Sequence, residues 1–325
     1  MRPILPLLLL LAAAIAAPAA DKVTICLLPK KKGLAYFTSC AEGAQAAAKE
    51  LGDCEIVYDG PTDGSPEKAV QLIEKWTLKK VDVIAVSPND PDVLAPAMRK
   101  AREKGIHVIT WDADGQPDAR ELFVNQATAQ QIGSAMVDAM AKDLGAEPSG
   151  QLAIVTATLT AANQNAWIEH MKARLKAQYP KLELVGVKPS NEDQKQAFQV
   201  SQDLMKAYPD LKGIFGISSV SFPGAAEAVK QAGKSGQVQV TGLSTPNAMK
   251  EFVQDGTVRS VVLWDTRDLG YLTAQVGYQL AKGALKPGSA SVKAGRLGEK
   301  RIEAGNVLLD NLIVFTKANI AQYDF

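Results

Sequence analysis

Two short stretches of the chain end in the same pair of side chains. Residues 109–114 read Ile-Thr-Trp-Asp-Ala-Asp, and residues 262–265 read Val-Leu-Trp-Asp. An indole face packs well on the C–H side of a polyhydroxylated carbon skeleton, while the neighbouring carboxylate accepts from its hydroxyls. Trp111, Asp112, Trp264 and Asp265 are therefore expected to look into one cleft from two sides. Each pair also has a plainer reading, in which the Trp closes the core and the Asp caps the next helix. The repetition favours a site.

Both stretches close apolar runs in a chain that alternates strand and helix patterns. Such runs are buried parallel strands, and open α/β sheets present ligand-binding groups at the carboxyl ends of their strands. The first half reads as strands at 23–28, 54–58, 81–86, 107–111 and 122–124 with helices between them, one opened by Ser65 as cap and Pro66 at its first position. Past a linker-like segment from Gly145 to Gly150 the pattern restarts, with strands at 152–156, 182–187, 213–217, 238–242 and 260–263. A helix at 269–283 and a tail strand region at 307–315 follow. Successive βα units give parallel sheets with right-handed crossovers. The expected fold is α/β: two tandem doubly wound parallel-sheet domains joined by a multi-strand hinge. One lobe is expected from 20–125 plus about 266–305, the other from 126–265 plus about 306–325.

The 325 residues suit two domains of moderate size, and 46% hydrophobic residues mark a globular chain. A formal net charge of +1 lacks the clustered basic excess that nucleic acid demands; Lys30, Lys31 and Lys32 form the one basic run of note. At the start, Arg2, the apolar stretch Ile4 to Ala16 and Ala17-Pro18-Ala19 read as a cleaved signal peptide at 1–19, which predicts a periplasmic, soluble protein. Cys26, Cys40 and Cys54 are odd in number, so at least one lacks a partner in the chain; buried free thiols are the expected state.

Several further motifs carry a resemblance. The loop Pro29-Lys30 followed by Tyr36-Phe37-Thr38-Ser39, the run Asn163-Gln164-Asn165 with Trp167, the segment Gly242-Leu243-Ser244-Thr245-Pro246, Asp268-Leu269-Gly270-Tyr271 and the ending Tyr323-Asp324-Phe325 join the two Trp-Asp pairs. Together they resemble the type I periplasmic sugar-binding proteins of ABC importers, nearest to the branch of rhamnose-binding and autoinducer-2-binding proteins. The resemblance implies a periplasmic binding protein that closes two lobes around one small sugar or sugar-like polyol of rhamnose type and delivers it to an inner-membrane ABC permease. It also implies a monomer with no cofactor, no metal and no catalysis. Lys30, Asp112 and Gln164 match the ligand-binding lysine, aspartate and glutamine of autoinducer-2 receptors. Asn163 stands where those receptors carry aspartate, and Ile217 and Ser219 fall where they carry proline and alanine. An autoinducer-2 receptor, or a sensor serving a receptor kinase, is the alternative.

The expected ligand-binding set is thus Lys30, Phe37, Trp111, Asp112, Asn163, Gln164, Ser219, Trp264 and Asp265. Asp112 and Asp265 accept hydroxyls, Lys30 and Asn163 donate, and Phe37 and Trp111 supply apolar walls. Trp167 sits at helical spacing and reads equally as core, and Asp114, Asn125 and Gln126 read equally as turn residues. Enzyme signatures are missing: the two histidines, His107 and His170, have no metal-ligand spacing, and there is no Gly-x-Ser-x-Gly or phosphate-cradling glycine loop.

Overall fold

The computed structural model describes residues 22–286 and 288–325, so the expected signal peptide at 1–19 lies outside the described residues. The first half runs β1 (Val23–Leu28), α1 (Ala35–Leu51), β2 (Cys54–Tyr58), α2 (Pro66–Lys79), β3 (Val83–Val86), α3 (Pro91–Glu103), β4 (His107–Trp111) and β5 (Phe123–Asn125). Side-chain caps start two of its helices: the Ser65 hydroxyl accepts from the Lys68 amide, as the sequence predicts, and Asp90 accepts from the Asp92 and Val93 amides. The second half runs α4 (Ala129–Leu144), β6 (Gly150–Thr156), α5 (Ala162–Gln178), β7 (Leu182–Pro189), α6 (Gln194–Ala207), β8 (Leu211–Gly216), α7 (Ser221–Gln231), β9 (Gln239–Gly242), α8 (Pro246–Gln254) and β10 (Val261–Trp264). Then come α9 (Thr266–Ala281), β11 (Ser291–Lys293), β12 (Glu299–Glu303), β13 (Asn306–Leu308) and β14 (Leu312–Phe315).

In the first sheet the strand order is β2-β1-β3-β4-β5-β13-β12-β11, parallel from β2 through β13. Both faces are covered. Ile25 and Leu27 of β1 join the core under α1 and α9, whereas Cys26 and Leu28 join the core under α2 and α3. Each such aliphatic side chain contributes about 1.5–3 kcal/mol on burial, which is why the strand from Ile25 to Leu28 reads as a continuous apolar run and not an alternation. All three cysteines are free and buried, and burial pushes the Cys26 thiol up to about 12 and Cys54 to about 11. They pack as small apolar groups.

The second sheet has the order β7-β6-β8-β9, all parallel, and repeats the β2-β1-β3-β4 arrangement of the first. Beside β9 lies β10, tied by the Thr241 hydroxyl donating to the Ser260 carbonyl, and β10 pairs antiparallel with β14. The chain crosses between the sheets three times: after β5, between β10 and α9, and after β13. The tail returns later than its sequence suggests. Residues 306–308 pair with β5, so the first sheet keeps the chain until Leu308.

Two segments depart from expectation. The β11–β12 hairpin was not legible, because its charged residues alternate with half-buried ones at an edge that needs little apolar content. Helix α8 is short and opens at Pro246, in a stretch between two predicted strands to which the sequence assigns no element. No helix among the described residues is long and apolar enough to cross a membrane.

Helices α1 and α9 touch backbone to backbone. A Cβ added at Gly43 would run into the Arg267 carbonyl, and one at Gly270 would run into the Cys40 carbonyl. This reciprocal contact fixes the amino end of α1, which carries Tyr36 and Phe37, against the junction of β10 and α9.

Candidate functional site

The carboxyl ends of both sheets face one cavity. Its walls come from the β1–α1 segment (Lys30, Tyr36, Phe37), the end of β4 (Asp112), the start of α5 (Asn163, Gln164, Trp167), the β7–α6 loop (Glu192), the β8–α7 loop (Ile217, Ser218, Ser219) and the ends of β9 and β10 (Leu243, Leu263, Trp264). About 410 Å³ of space, part of it continuous with solvent, lies between these walls. The walls are therefore close together and the occupant is small.

Asp112 organises the polar side. Its backbone takes a left-handed φ of +63°, which turns the carboxylate away from β4. Tyr36 donates to Oδ1 at 2.8 Å and Ser87 to Oδ2 at 2.8 Å, while Lys30 Nζ lies 3.4 Å from Oδ2. Lys30 in turn donates to Asn163 Oδ1 at 3.3 Å, and Lys31 to the Glu192 carbonyl at 3.3 Å. Both lysines follow β1 and both acceptors belong to the second half, so these bonds link the two halves of the chain across the cavity. Lys30 is 8% exposed and Asp112 5%, and a buried charge of either kind persists only with such partners.

Gln164 has a fixed orientation. Its Oε1 accepts from the Thr156 hydroxyl and from the Ala157 amide, which leaves the Nε2 donors for the cavity. Burial pushes the Glu192 carboxyl up, while Lys30 opposes that shift and Asp112 reinforces it. Burial likewise holds the Tyr36 hydroxyl well above its usual range, with Asp112 adding to the effect. Tyr36 stays a neutral donor to Asp112.

The apolar side is a chain of edge-to-face rings. Tyr36 meets Phe37 at 5.0 Å and Trp264 at 6.1 Å, and Trp264 meets Trp167 at 6.5 Å. The Trp264 indole donates to the Tyr36 hydroxyl at 3.0 Å, so this Trp offers the cavity its ring and not its N–H.

Seven of the nine expected residues line this space: Lys30, Phe37, Asp112, Asn163, Gln164, Ser219 and Trp264. Trp111 and Asp265 do not. Trp111 is wholly buried, its indole donates to the Ala85 carbonyl at 3.2 Å, and it backs Phe37 from 5.7 Å away. The Asp265 carboxylate accepts from the Arg267 and Asp268 amides at 2.9 and 3.2 Å and so caps α9. For these two the plainer reading of the Trp-Asp pair is what the geometry displays. Asp114 is bound to Arg120 at 2.7 Å and to the Thr110 hydroxyl, away from the main cavity. The sequence reading missed Tyr36, Ser218, Glu192, Leu243 and Leu263. Tyr36 adjoins Phe37 and Glu192 follows a strand end, so position alone was their signal; Leu243 and Leu263 look like any core leucine.

Comparison with known proteins gives a consistent picture. The family model described as "periplasmic binding protein domain" matches residues 25–285. The ribose import binding protein RbsB of Escherichia coli is 27% identical over 275 residues, covering 84% of this chain and 90% of that protein. An ABC transporter solute-binding protein of Clostridium phytofermentas, solved with bound L-rhamnose, is 30% identical with a TM-score of 0.88 and covers 94% of this chain and 99% of its own. LsrB of Clostridium saccharobutylicum, solved in complex with AI-2, is 28% identical with a TM-score of 0.88, covering 93% and 100%.

Proposed function

The chain belongs to the periplasmic binding protein family, as a sugar-binding protein of an ABC transporter, and from that premise we propose that it captures a rhamnose-type monosaccharide between two lobes. Its relatives are substrate-binding transport proteins and not enzymes. In this reading the lobes are built on the first and second sheets, the closed form is recognised by an inner-membrane permease, and the protein acts as a periplasmic monomer released by removal of the signal peptide 1–19.

One observation carries the ligand class. A narrow cavity at the carboxyl ends of both sheets sets ring surfaces from Phe37, Trp167 and Trp264 beside polar groups from Lys30, Asp112, Asn163 and Gln164. That combination matches the C–H faces and hydroxyls of a small neutral sugar. Lys30 neutralises Asp112 at 3.4 Å, which also suits an uncharged guest. An autoinducer-2 ligand is the second reading, supported by Lys30, Asp112 and Gln164 and by the AI-2 complex of LsrB. Asn163 weighs against it, because an amide replaces the aspartate that the resemblance to autoinducer-2 receptors leads one to expect.

The test is thermal unfolding of the mature protein with L-rhamnose, D-ribose, other pentoses, tetritols and autoinducer-2. A ligand that binds only the folded state at a hundred times its Kd stabilises by about 2.7 kcal/mol, so the true ligand raises the melting temperature by several degrees. A response to autoinducer-2 alone overturns the rhamnose-type assignment. A flat panel removes the sugar reading altogether. Mass spectrometry of the exported protein tests the cleavage.

A further inference from the structure

The hydrogen-bonding capacity of the cavity is unevenly spent. Tyr36 is saturated, since it donates to Asp112 and accepts from Trp264. Asp112 already receives two hydroxyls and faces Lys30, and both Asn163 Oδ1 and Gln164 Oε1 are taken. What these amides still present is N–H. Against that surplus of donors stands one cavity acceptor that, among the described residues, has no partner in hydrogen-bond geometry: Glu192 Oε2 is sealed from solvent, and the Ser218 hydroxyl acts on the carboxyl without meeting that geometry at Oε2.

Glu192 is brought there by strained backbone. Asn191 and Glu192 take φ values of +52° and +51°, two consecutive left-handed residues without glycine, and the Lys31 ammonium grips the Glu192 carbonyl at 3.3 Å. Strain of this kind persists only where surroundings fix it, and here it presents the side chain at the wall between the cavity and an outer groove lined by Lys31, Asp63, Asn89 and Asp90. A buried polar atom left without a partner costs about 1–3 kcal/mol, a penalty that a bound hydroxyl relieves.

We propose that Glu192 is a specificity-determining residue that accepts a hydrogen bond from one hydroxyl of the bound sugar, so that the protein selects against sugars lacking a hydroxyl at that position. A site built to bond a hydroxyl rejects the analogue without it more strongly than an apolar pocket rejects a missing methylene. The inference rests on the sugar-binding reading above.

The experiment is calorimetric titration of wild type and Glu192→Ala with L-rhamnose and its monodeoxy analogues, joined to the melting temperature of both proteins without sugar. Glu192→Ala is expected to weaken L-rhamnose binding about ten- to a hundredfold. One monodeoxy analogue is expected to bind wild type and variant equally, because substitution and analogue delete the same bond. Without sugar the variant is expected to melt at or above the wild-type temperature, since its unpartnered carboxyl is gone. Equal losses on every analogue, or a sugar-free variant that melts well below wild type, would overturn the assignment and make Glu192 a structural residue. Wild-type protein that binds none of these sugars sinks the sugar reading instead, and the sugar-free melting shift then decides whether Glu192 is the orphaned acceptor.

Discussion

At the scale of single residues, one dipeptide takes two roles, and backbone conformation separates them. Asp112 at φ +63° swings its carboxylate into the cavity, whereas Asp265 at φ −70° turns its own back onto the amides of α9. Asp112→Asn is predicted to cut sugar affinity about a hundredfold and to lower stability by about 2–3 kcal/mol, because it strips Lys30 of its counter-charge and sets an N–H₂ against a hydroxyl donor. Calorimetric titration and thermal unfolding measure the two effects; an unchanged Kd removes Asp112 from the site. The tryptophans divide in the same way. Ligand-induced fluorescence change is expected to fall in Trp264→Phe, whose ring borders the cavity together with Trp167, to vanish when both are replaced, and to survive in Trp111→Phe, whose ring is sealed behind Phe37. Far from the site, the Glu121 carboxylate 3.0 Å from His107 raises the imidazole above its ordinary 6.5. The pair's stabilisation is therefore full below about pH 6.5 and is lost as the pH rises through the higher folded value. The difference in melting temperature between wild type and His107→Gln is predicted to shrink from pH 6 toward alkaline conditions; a gap independent of pH contradicts the pairing.

Among the elements, the α1–α9 contact is the support on which the aromatic wall stands. Gly270→Ala forces a methyl group into the Cys40 carbonyl, so the helices must part, and a cost of about 1–3 kcal/mol in denaturant unfolding is expected. Sugar affinity is expected to fall with it, because Tyr36 and Phe37 ride on α1. Full stability in that variant contradicts the close approach. Most strands were legible in the sequence: β1 and β4 coincide with the predicted runs because two-sided burial writes a nearly continuous apolar signal, and β2, half-buried at the sheet edge, coincides as well through its β-branched and aromatic residues. The β11–β12 hairpin and α8 left no such signal, one being polar at an edge and the other only nine residues long.

For the molecule as a whole, function depends on how the two halves close. Lys30 reaches Asn163 and Lys31 reaches the Glu192 carbonyl across the cleft. Lys31→Ala removes one of these bonds, about 1 kcal/mol, and is predicted to weaken sugar binding about fivefold by favouring the open form. Small-angle scattering of the sugar-free variant is expected to show a larger radius of gyration than sugar-bound wild type; identical curves would argue against opening as the cause. Neighbouring residues were enough for the repeated βα pattern, the two parallel sheets and seven of the cavity's side chains, since periodicity, strand ends and short motifs are all local. That Trp111 and Asp265 stay out of the cavity while Tyr36, Ser218 and Glu192 enter it depended on how distant segments pack. Those placements follow from a left-handed turn at one aspartate, a cap at the other and the meeting of loops more than a hundred residues apart, and none of these is encoded in local spacing.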